Sequence, residues 1–153
     1  MIQRIQSLYL LIVIIGSALL FFLPITAYYT GNFTYTLNVL GLKLFSGTNQ
    51  SVEVMTWPLL VSNSLVIVLS IFALLKYKNR ILQNKIVAFV FLFNAILLGL
   101  AYWITDSLAE VLGTPVHYKA AAVFPILSVL LLVFTAKAIR KDDAKIRAAG
   151  RLR

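Results

Sequence analysis

Residues 57–85 read WPLLVSNSLVIVLSIFALLKYKNRILQNK, and this stretch decides the fold. The first nineteen, Trp57 to Leu75, carry no charge; Lys76, Lys78, Arg80 and Lys85 then crowd into the next ten. A helix of that length rises about 28 Å, close to the roughly 30 Å hydrocarbon core of a bilayer. Pro58 falls in its first turn, where the missing N–H leaves no intrahelical bond unmade. An uncharged run of membrane length that stops on a cluster of cations reads as a transmembrane helix ending at a cytoplasmic face.

The same pattern recurs on both sides. Residues 5–23 follow Arg4 and stay uncharged to Pro24, residues 86–104 lie between Lys85 and Asp106, and residues 120–137 follow Lys119. The last of these is the shortest and carries Pro125 near its outer end. Arg4, the four cations of the 76–85 loop, and Lys137, Arg140, Lys141, Lys145, Arg147, Arg151 and Arg153 all fall in alternate gaps between runs. Only Lys43 and Lys119 fall in the other two. Basic residues flanking a span are retained in the cytoplasm, so four spans with both termini inside are expected. A cleaved signal peptide is the rival reading of the first run, with Ile25, Thr26 and Ala27 as a cleavage site. Signal h-regions are about 7–15 residues, and this run is longer, so an uncleaved anchor is expected.

Composition agrees. Apolar residues make up 61 % of the 153 and charged ones 12 %, against roughly half and a quarter in soluble domains. The net charge of +9 is divided between a short loop and a tail, which suits juxtamembrane placement and not a nucleic-acid-binding face. There is no cysteine and one histidine, so thiolate and multi-histidine metal sites within one chain are excluded.

The outer segment 27–56 alternates apolar and polar residues from Phe33 to Val39, resumes at Leu42, Lys43 and Leu44, and predicts a small β-hairpin on the helix ends. Phe33, Tyr35 and Leu37 share one face of that ribbon and are its expected contact residues. Residues 105–118 are expected to begin as a continuation of the third helix. Tyr28, Tyr29, Trp57, Tyr102, Trp103 and Tyr118 sit where an aromatic belt would meet the outer headgroups.

Short of their ends, the spans hold no Asp, Glu, Lys, Arg or His, which argues against a proton relay, pump or voltage sensor. Counted from the cytoplasmic ends, Asn63 is about 20 Å deep, Asn94 about 13 Å and Ser70 about 9 Å. Two readings stand: interhelical hydrogen bonds of about 1 kcal/mol each, or a polar site for a solute. Ala95 and Gly99 make a small-xxx-small step that permits close helix approach. The tail residues Lys137, Arg140, Lys141, Lys145, Arg147, Arg151 and Arg153 either set topology only or bind anionic lipid headgroups or an acidic partner. Alanine content and the Asp143–Arg147 spacing extend the fourth helix toward Gly150.

The opening Met1 to Leu11, the motif Thr56-Trp57-Pro58-Leu59, the loop Lys76 to Gln83, and the tail Ala138 to Asp143 with Arg151-Leu152-Arg153 together resemble a small family of Bacteroidota inner-membrane proteins. That family is known only as a domain of unknown function. The resemblance runs along the whole chain in order and implies a location and a topology but no activity. Asp143 departs from the family's usual Glu, and Gly150 stands where an acidic residue is usual.

The expectation is therefore an all-α membrane protein: a four-helix transmembrane bundle, termini cytoplasmic, with a hairpin in its first outer loop. Without a nucleophile, base or metal constellation it is read as non-enzymatic and cofactor-free. The expected role is an accessory subunit of a larger inner-membrane or envelope complex, such as protein export or insertion. Its partners would be anionic lipids and a larger membrane protein, with no nucleic acid. The alternative is a small homo-oligomeric transporter or channel for a neutral or lipid-like solute.

Overall fold

The computed structural model describes residues 2–150 apart from 32, 47, 48 and 78; for 2–4, 46, 49–54 and 145–150 it describes the backbone alone. Four helices make the frame: α1 (Ile2–Leu19), α2 (Trp57–Leu75), α3 (Arg80–Leu112) and α4 (Val123–Gly150). Each packs on its neighbours in the chain, and α1 closes on α4, so the four form a ring. Among the described residues, α2, α3 and the segment Ala120–Ala144 are long and apolar enough to cross a membrane, while the apolar part of α1, Ile5–Leu19, is shorter.

The boundaries follow local chemistry. α1 stops at Leu19, four residues before the expected end of its span. Residues 20–23 form tight turns instead, with Leu23 N–H donating to Leu19 O at 2.9 Å. Pro24 bars its predecessor from helical geometry, and the chain must straighten for a strand at Thr26. The Asn79 side chain caps α3 by accepting from Leu82 N–H at 3.2 Å. Gly113, at φ +62°, ends it in the left-handed conformation that suits glycine. Pro125 is tolerated in the first turn of α4, where no intrahelical donor is required.

The expected hairpin is a larger object, and the correction changes one end of the molecule. Strands β1 (Thr26–Thr30), β2 (Phe33–Leu37), β3 (Leu42–Ser46), β4 (Asn49–Val54) and β5 (His117–Tyr118) form one antiparallel sheet in the order β4-β3-β2-β1-β5. β5 comes from the α3–α4 connection and pairs with β1 through Thr26–Tyr118 and Ala27–His117. Lys119 N–H continues that pairing to Ile25 O at 2.9 Å. The two segments read as separate outer loops are thus one structure. Gly31, at φ +57°, opens the tight β1–β2 connection, and reciprocal Asn38–Gly41 backbone bonds close the next.

Three buried clusters stack along the molecule. Leu10, Val13, Val66, Val90, Leu132 and Ile139 fill the end of the bundle near the α2–α3 loop. Leu20, Val39, Leu59, Leu97 and Ala121 fill the end near the sheet. Beyond them Tyr28, Leu37 and Leu42 pack on Ile104, Leu108 and Leu112 of α3. The last turns of α3 therefore support the sheet.

Candidate functional site

Three buried amide side chains inside the bundle donate to backbone on neighbouring helices. Asn63 Nδ2 donates to Ser17 O of α1 at 3.0 Å. Asn94 Nδ2 donates to Pro125 O of α4 at 2.9 Å, and Gln83 Nε2 to Ala73 O of α2 at 3.2 Å. One such bond joins each pair of consecutive helices. Asn63, Ser70 and Asn94 are fully buried, yet no hydrogen bond joins them to one another among the described residues. Asn63 Oδ1, Asn94 Oδ1 and Ser70 Oγ have no partner among the described residues. The small-xxx-small step turns out to face outward: Ala95 and Gly99 are exposed, and a Cβ on Gly99 would meet nothing within 4 Å. The glycine that serves packing is Gly16, whose backbone lies under the Phe124 ring, with a Cβ there 3.7 Å from it.

At the α2–α3 loop end, Arg80 reaches across to α4. Its guanidinium meets the Asp142 carboxylate at 3.1 Å and donates to Asp142 O at 3.2 Å. Both side chains are more than four-fifths buried. Sequence reading counted Arg80 among loop cations and missed this pair, because its partner is sixty-two residues away. Lys137, Arg140 and Lys141 are exposed. Lys145 and Arg147 lie on the α4 backbone, but their side chains, like Arg151 and Arg153 altogether, fall outside the described residues. Beside Lys137 and Arg140, α3 and α4 part to leave a groove of about 310 Å³.

At the sheet end a larger, mostly apolar groove of about 660 Å³ opens between α3, α4 and β5, past Leu98, Tyr102, Val123 and Ile126. Lys119 stands at its rim, donating to the Tyr29 hydroxyl at 3.0 Å with its charge 5.6 Å from that ring's centre. The His117 ring meets Tyr29 edge-on at 5.1 Å. Of the ribbon residues, Phe33 is exposed, Tyr35 half-buried and Leu37 fully buried, so Leu37 offers a partner no surface. Tyr28 is also corrected: it does not face outward as a belt residue would but lies wholly inside, its hydroxyl donating to Thr105 O at 2.9 Å. The strand alternation of residues 26–30, with Tyr28 inward and Tyr29 outward, was the available signal. Among the described residues no three His, Asp or Glu side chains gather where they could hold a metal ion.

Long apolar helices in a ring, with a small antiparallel sheet at one end, fit a membrane-embedded helical protein. The chain belongs to the family described as domain of unknown function DUF4293, whose profile matches residues 2–152. No curated protein matches it.

Proposed function

We propose that this is a four-span protein of the bacterial inner membrane, with both termini cytoplasmic, acting as a non-enzymatic accessory subunit of a larger membrane or envelope complex such as an export or insertion machine. The observation that carries the reading is the five-stranded sheet at the end of the bundle away from the basic loop, with the six-residue β4 at one edge. An edge strand offers a row of unpaired backbone groups onto which a partner's strand can add. The apolar stretch of α1 is short, and its packing against both α2 and α4 supports reading it as a fourth span. The skew of basic residues supports the orientation.

A second reading, a small oligomeric transporter or channel for a neutral or lipid-like solute, draws on the partnerless oxygens of Asn63 and Asn94 and the hydroxyl of Ser70. The grooves described above are lined by other residues. Purifying tagged protein in mild detergent separates the two. The accessory role predicts stoichiometric co-purification of a larger membrane protein. A clean homo-oligomer, with solute flux in liposomes abolished by Asn94→Leu, would overturn it.

A further inference from the structure

We infer that the groove between α3 and α4 at the basic end is a binding site for one anionic phospholipid. Its walls are apolar, built from Val87 and Phe91 on α3 and Leu132 and Val133 on α4. It exists because Ala88 and Ala136 line it where larger side chains would fill the space. Its mouth is polar: Lys137 and Arg140, three residues apart and so on one face of α4, together with the amide of Asn84.

Among the described residues no carboxylate neutralises the charge at that mouth. Of the two nearby carboxylates, Asp142 is committed to Arg80, and Asp143 has a contact of its own. Among the described residues neither Lys137 nor Arg140 forms an ion pair. Two cations and an amide donor above an apolar slot match a phosphodiester above an acyl chain. A groove of about 310 Å³ holds less than one turn of a partner helix, roughly 500 Å³ for a cylinder about 11 Å across and 5.4 Å in pitch. A single acyl chain, unbranched and flexible, suits such a slot. Arginine and lysine are the side chains that recognise phosphate, one by a bidentate fork and the other as a point charge.

This inference rests on the membrane-embedded reading but not on the accessory role. Native mass spectrometry of the detergent-solubilised full chain tests it, with phosphatidylglycerol and phosphatidylcholine of equal acyl chains as probes. One phosphatidylglycerol should be retained at about tenfold lower lipid concentration than phosphatidylcholine, since each basic residue near the surface favours an anionic lipid. The double variant Lys137→Gln/Arg140→Gln should erase that preference. Ala88→Phe, at an exposed position that tolerates bulk, should block the slot and lower retention of both lipids. Lys141→Gln, which removes a tail charge outside the groove, should leave the preference intact. Equal retention of the two lipids by the unaltered protein would overturn the site, as would a Lys141→Gln loss as large as the double variant's. Failure to find a larger protein partner would leave these outcomes unaffected.

Discussion

Tyr28 carries a hydroxyl into the contact between the sheet and α3, where the surroundings are Leu37, Leu42 and Leu108. Burial raises its pKa above the ordinary 10.0, against hydrogen bonds with Thr26 and Thr105 that pull the other way. At neutral pH the phenol is protonated in both folded and unfolded chains, so it adds no pH dependence there. Above about pH 10 the unfolded chain ionises first and binds fewer protons than the folded one, so stability falls as pH rises. Tyr28→Phe should cost about 1 kcal/mol at neutral pH through the lost bond to Thr105. It should also flatten part of the alkaline decline, measured as the difference in thermal unfolding between about pH 8 and pH 10.5. An alkaline slope identical in variant and parent would contradict this account. Tyr28 also marks where residue-level reading of the sequence fell short. Two adjacent tyrosines after an apolar run look like an interfacial belt, and only the strand pairing separates the buried ring from the exposed one.

α3 is the element on which the molecule is organised. Its thirty-three residues rise about 50 Å, well beyond a hydrocarbon core of roughly 30 Å. Ile104, Leu108 and Leu112, at helical spacing, support the sheet, while Arg80 at the opposite end binds α4. These ends work by different physics. Within lipid, helices gain little from hydrophobic association and depend on packing and hydrogen bonds. At the sheet, burying a side chain such as Leu37 or Leu42 away from water contributes about 1.5–3 kcal/mol. The Arg80–Asp142 pair is expected to exceed the usual 0–1 kcal/mol of a surface ion pair, because it is largely buried and makes two charge-assisted contacts. A double-mutant cycle with Arg80→Gln and Asp142→Asn, read by thermal unfolding in detergent, should give a coupling of about 1–2 kcal/mol. A coupling indistinguishable from zero would reduce the pair to a surface contact. The helices were legible because uncharged runs of membrane length have few other readings, and a continuation of α3 past Ile104 was expected, though not its length to Leu112. β5 was not, since two residues carry no pattern. Neither was the α3–α4 groove, because Ala88 and Ala136 acquire meaning only when the two helices face each other.

The whole molecule has distinct ends, a basic one at the α2–α3 loop and one capped by the sheet. The chain has no cysteine, so single cysteines report sidedness cleanly. Val111→Cys and Tyr77→Cys, at exposed positions near the sheet and in the basic loop, should label from opposite faces of the membrane, with residue 111 outside. Labelling from the same face would sink the four-span topology. The pairing of β1 with β5 has a consequence for assembly. Roughly ninety residues separate Thr26 from its partner Tyr118, and α2 and α3 lie between them. Contacts this distant in sequence form late. On the proposed topology, β1 can pair with β2 as soon as the first outer segment is translocated, but its other edge stays open until α3 has crossed and delivered β5. On that topology, a completed sheet reports on one side of the membrane that the third helix has already crossed it.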